Sequence, residues 1–233
     1  MPTTAKLYIS STIVIGLCVL AGCLLFERQF PDPPRYFAYL FLACLASTLK
    51  IKLPKLRGTM SVNFLFVLIG IAELTAVESV TLGCLAALIQ SFWKPRNRPA
   101  GVQVLFNIAT VAVCIALSFA LSHTFRQTES LPVLLALAGC AYFVLNTGMI
   151  SLVLSLTGTQ TFVQVWRQCY LSSFPYYLVG AAIAGAIVYS NRTVGWKPSL
   201  LMLPMMYLVY SYYRLHLLQA NDQEYAAPAP SIT

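Results

Sequence analysis

Apolar residues run through this chain in blocks of membrane-spanning length, and polar residues gather in the short gaps between them. A helix crosses the hydrocarbon layer with ~20 apolar residues. On that measure residues 7–26, 36–49, 62–74, 77–93, 102–121, 131–156, 174–189 and 199–218 predict eight spans, the second of them short. Glu27-Arg28 follows the first block directly, without the small-residue site of a cleaved leader, so that block reads as a retained span. The turn Pro31-Asp32-Pro33-Pro34 ends it, because stacked prolines cannot continue a helix. Residues 161–172 break the pattern, with Gln164, Arg167 and Gln168 interleaved with Phe162, Val165, Trp166 and Tyr170; this mixture predicts an amphipathic helix lying at the membrane interface. In the seventh block, Gly180-Ala181-Ala182-Ile183-Ala184-Gly185 offers small residues four apart, a face on which helix backbones approach closely.

Composition strengthens this reading. Of 233 residues, 58% are hydrophobic and 9% charged, and the mean hydropathy is +0.74. A soluble domain needs about 25% charged residues to solvate its surface, so the sequence leaves no room for a soluble catalytic or binding domain. The predicted fold class is all-α: one polytopic transmembrane helical bundle over residues 1–218, in contact with the lipid bilayer, then a disordered tail over 219–233 with Ala-Pro repeats. The formal charge of +8 does not argue for nucleic acid, since cations flanking apolar spans meet anionic headgroups. Numbering the spans from the N-terminus puts 10 of the 15 Lys and Arg on one side and 5 on the other. The positive-inside rule then places both termini in the cytoplasm, with a bacterial inner membrane as the expected location. The basic loops at 50–57 (Lys50, Lys52, Lys55, Arg57) and 94–98 (Lys94, Arg96, Arg98) are candidate docking surfaces for a signalling or motor protein. The seven cysteines form no CxxC pair and sit in apolar runs, where they read as packing residues.

Candidate chemistry lies in the few polar residues within or beside spans, where hydrocarbon makes them costly. Glu73 and Glu78 bracket the turn between the third and fourth spans. They read either as interfacial carboxylates reaching solvent or as a paired acidic site for a cation, amine or proton. Five residues apart, they would not share one helix face, so only a turn unites them. Asn63, Asn107 and Asn146 are each embedded in apolar sequence, as interhelical hydrogen-bonding groups or as amides lining a ligand pocket. His123 and His216 have no nucleophile at recognisable spacing, and HExxH, Walker and GxSxG patterns are absent. No catalytic set, metal site or cofactor is predicted. Asn191-Arg192-Thr193 is formally a glycosylation sequon.

The stretch Gly58-Thr59-Met60-Ser61-Val62-Asn63-Phe64-Leu65-Phe66, the following Gly70-Ile71-Ala72-Glu73-Leu74, the loop Trp93-Lys94-Pro95-Arg96 and Val102-Gln103-Val104-Leu105-Phe106-Asn107 together resemble the N-terminal membrane module of bacterial sensor proteins. In those proteins the cytoplasmic parts are GGDEF or HD-GYP domains, which make and break cyclic di-GMP. The likeness covers about residues 36–218. In that family the last span runs into a signalling helix and an enzyme domain, whereas this chain carries only a short Ala/Pro tail after Leu218. The resemblance therefore implies a non-enzymatic module that senses a small or lipophilic ligand, with its output on another protein. A small transporter or the substrate-binding subunit of a transport complex is the competing expectation.

Overall fold

The computed structural model describes residues 2–27, 30–52, 59–93, 99–125, 130–169 and 174–197. The predicted eighth span, the tail and most of both basic loops lie outside them. Eight helices are present among the described residues: α1 (Thr3–Phe26), α2 (Pro33–Thr48), α3 (Phe64–Glu73), α4 (Ala76–Phe92), α5 (Gly101–Thr124), α6 (Leu131–Thr157), α7 (Phe162–Cys169) and α8 (Phe174–Val194). Where the sequence reads as loop, two three-residue strands, β1 (Lys50–Lys52) and β2 (Thr59–Ser61), form an antiparallel ribbon between α2 and α3.

Local chemistry sets the helix starts. Pro33 and Pro34 open α2, where their missing N–H groups cost nothing, and the Asp32 side chain accepts the Arg35 N–H at 3.2 Å. At α4, Thr75 and Glu78 form a capping box: the Thr75 hydroxyl accepts the Glu78 N–H, and the Glu78 carboxylate accepts the Thr75 N–H.

Three helices, α1, α5 and α6, are long and apolar enough to cross a membrane. The other predicted spans among the described residues come out shorter or more polar. The greatest departure is α3: its 10 residues rise about 15 Å, half the hydrocarbon thickness. It is not a full span. It is the centre of the bundle, with Phe64 to Ile71 all buried and α2, α4, α5, α6 and α8 packed around it. By contrast α1 buries a narrow seam, Ala5, Ile9, Thr12 and Gly16, against α5 and leaves most of its apolar surface outward. Such a surface is stable only in an apolar solvent.

The small residues of α8 pack as their spacing predicts. Gly180, Ala181 and Ala184 are buried; a Cβ on Gly180 would overlap the Phe64 ring, and Ala181 lies on Gly139 of α6. This close approach lets the N-terminal end of α3 sit in an aromatic box, with Phe64 and Tyr177 centroids 4.8 Å apart and Phe143 and Tyr177 4.9 Å apart. The helix predicted at 161–172 is observed as α7: Val165 is buried, Phe162, Val163 and Arg167 are exposed, and the Trp166 indole N–H donates to Thr147 Oγ1 at 3.0 Å. Cys18, Cys23, Cys44, Cys84, Cys114 and Cys140 are free thiols, Cys84 and Cys114 deep in the packing.

Candidate functional site

Helix direction alternates along the chain, so the C-terminal ends of α1, α3, α5 and α8 meet the N-terminal ends of α2, α4 and α6. The polar side chains that the apolar runs expel to their ends therefore gather at one end of the bundle. Four of the seven acidic residues lie there: Glu27, Asp32, Glu73 and Glu78. Arg35, His123, Asn191 and Arg192 join them.

At the centre is Glu73, on the last turn of α3 with its side chain 5% exposed. The Arg35 guanidinium from α2 pairs with Oε2. Tyr39, one turn along α2, donates its hydroxyl to the same oxygen at 2.9 Å. From α8, Asn191 Nδ2 lies 2.8 Å from the Tyr39 hydroxyl and 3.0 and 3.2 Å from the two carboxylate oxygens. Arg35 also stands over the Tyr39 ring, 5.6 Å from its centroid, and Trp196 meets that ring edge-on at 6.5 Å. Gly195 makes the Trp196 contact possible: its φ of +92° turns the chain back sharply after α8. A charge in so dry a place is tolerable only with its partners on several sides, and helices α2 and α8 supply them.

Glu78 is 2% exposed. Its Oε2 accepts from the backbone and hydroxyl of Thr75, while Oε1 has no hydrogen-bond partner among the described residues. Glu27, just past α1, accepts the Val77 N–H at 3.1 Å and so caps the same helix start, where the peptide dipole favours an anion. His123 stacks on Phe119 at 3.8 Å. Its Nε2 lies 3.2 Å from the Ile71 carbonyl; because a carbonyl only accepts, Nε2 carries the proton there.

Three cavities open around this cluster. One of about 410 Å³ is lined by Glu27, Asp32, Arg35, Glu73, Glu78, Leu74, Phe119 and His123, among others. A second, of about 300 Å³, lies on the α8 side, with Arg35, Glu73, Asn191, Arg192 and Trp196 in its walls. A third, of about 440 Å³, is largely apolar, bounded by Leu131, Leu134, Leu135 and Ala138 of α6, with His123 and Arg192 at its edge.

The turn Leu74-Thr75 brings Glu73 and Glu78 to one cavity. The asparagines do not join them. Asn63 begins α3, about 15 Å away at the other end of that helix, buried with its Oδ1 unpartnered among the described residues. Asn107 and Asn146 are half-buried on α5 and α6 and line none of the three cavities. Sequence reasoning missed Arg35, Tyr39 and Asn191 as partners of Glu73. The available signal was a polar residue at each of several helix ends that alternating topology places on one side. Asn191 stood out only as a sequon, yet its Nδ2, the atom a glycan would occupy, is committed to Glu73 and Tyr39.

Against known protein families, curated proteins and solved structures, the chain finds no match.

Proposed function

We propose that this chain is a membrane-embedded receptor or sensing module, non-enzymatic, that holds a small or lipophilic ligand in the cavities around Glu73 and signals through a partner. One observation carries the reading: an ion pair of the buried Glu73 with the partly buried Arg35 is assembled from separate helices and completed by Tyr39 and Asn191 at the meeting point of cavities. Buried charge of this kind stabilises a fold weakly at best, and inside an apolar bundle it marks a functional site. A ligand that shifts Glu73 or Arg35 would act on α2, α3 and α8 together, which is the leverage a sensor needs. The eight predicted segments, α3 among them as a half-length one, with the charged end facing away from the cytoplasm and both termini inside, belong to the same proposal and rest on the distribution of Lys and Arg. Loops 50–57 and 94–98 would then face the cytoplasmic partner. The resemblance to membrane modules of cyclic di-GMP signalling proteins is compatible with this arrangement.

Native mass spectrometry of the purified protein tests the proposal. A retained small molecule, lost in Glu73→Gln, is the expected result; a clean ligand-free mass in several mild detergents would overturn a tight-binding receptor. The second reading, a substrate-binding subunit of a transport complex, draws on the same separation of charged cavity and basic loops. Co-purification with a transport ATPase would favour it over the sensor.

A further inference from the structure

We infer that the cavity of about 410 Å³ between the ends of α1, α2 and α5 and the α3–α4 turn takes a small organic ammonium ion with an apolar body, its N–H groups donating to Glu78. The inference rests on the receptor reading and names its ligand class. Among the described residues four carboxylates line this cavity against one guanidinium, a formal charge of −3 when His123 is neutral. Arg192, a further cation of the cluster, lines the neighbouring cavities instead. An anionic ligand would meet net repulsion here.

The second observation is independent of charge. Glu27, Asp32 and Glu73 each accept a hydrogen bond from the protein. Glu78 is 2% exposed, and its Oε1 accepts none among the described residues. A buried carboxylate oxygen without a donor is expensive to keep, and a donor arriving with a ligand would satisfy it once the Glu78 side chain, which lines the cavity, turns Oε1 toward it. A metal ion fits poorly: among the described residues no group of three His, Cys, Asp or Glu is close enough to hold one. Carboxylates spread around a cavity suit a larger cation with several N–H groups. The volume falls in the range of small-molecule sites. Phe119 and Leu74 provide an apolar wall for the body of the ligand.

The test uses the full chain in lipid nanodiscs at neutral pH and low salt, with 2-phenylethylamine as probe and its uncharged isostere 2-phenylethanol as control, both by isothermal titration. The amine should bind saturably and about tenfold tighter than the alcohol, the size of one charge-assisted hydrogen bond. Glu78→Gln should weaken amine binding about tenfold. Asp32→Asn, which keeps the cap on α2, should weaken it about threefold and guards against a misfolded first variant. Equal binding of amine and alcohol would overturn the inference, as would amine binding unchanged in both variants, or saturable binding of calcium or 3-phenylpropionate in place of the amine. A neutral or anionic molecule retained in native mass spectrometry and lost in Glu73→Gln would overturn the ammonium ligand while leaving the receptor reading intact.

Discussion

Helices α1 and α3 are both strongly apolar, yet the bundle uses them in opposite ways. The 24-residue α1 has the length and composition of a membrane span and buries a single seam against α5. The 10-residue α3 is too short to cross and is enclosed along nearly its whole length. In water, hydrophobicity would mark both as core. In lipid, tails are as apolar as leucine, so hydrophobicity alone does not separate an outer helix from an inner one. What separates them is what their ends carry: α3 runs from the aromatic box at Phe64 to the ion pair at Glu73, and both ends demand protein partners.

Substitutions can break this contrast or sharpen it. The largest effect should come from Leu68→Ala at the fully buried middle of α3, which should cost about 2–5 kcal/mol through lost contacts and the cavity left behind. Reversible unfolding in mixed micelles would measure it. Glu73→Gln should cost about 1–3 kcal/mol by stranding the partly buried Arg35, the partial exposure lowering the penalty of a fully buried pair. The double variant Arg35→Gln/Glu73→Gln should recover part of that loss, and no recovery would mean the two do not act as a pair. Thr75→Ala removes half the capping box of α4 and should cost about 1 kcal/mol, read by the same titration. Smallest of all, Leu17→Ala on the outward face of α1, 47% exposed, should stay within about 0.5 kcal/mol. A loss there comparable to that at Leu68 would show that a further partner covers α1 and would erase the difference between the two helices.

The local signals were legible in particular residues. The run Pro31-Asp32-Pro33-Pro34 marked the break between α1 and α2, because a break depends on a few neighbouring residues. Gly180 to Gly185 announced a close helix contact, and α8 makes one with Phe64 and Gly139. The pair Glu73 and Glu78 was legible as a candidate, but its company was not. Arg35 is 38 positions from Glu73 and Asn191 is 118 positions away, and no sequence spacing encodes such a meeting. Spacing does not encode depth either: Asn63, Asn107 and Asn146 share an apolar context, yet Asn63 starts α3 while Asn107 and Asn146 lie within α5 and α6.

The sequence by itself thus determined the solvent of this protein, the caps and breaks of its helices, and which residues would be costly in hydrocarbon. These follow from composition and from contacts within a few residues along the chain. Tertiary structure alone decided that α3 is a buried half-length helix and that α1 stays at the rim. It also decided that Arg35, Tyr39 and Asn191 close around Glu73 while Glu78 is left with a vacant oxygen. Those outcomes depend on which helix faces which, and in an apolar solvent that choice is made by close packing and by a few polar partners that are distant in sequence.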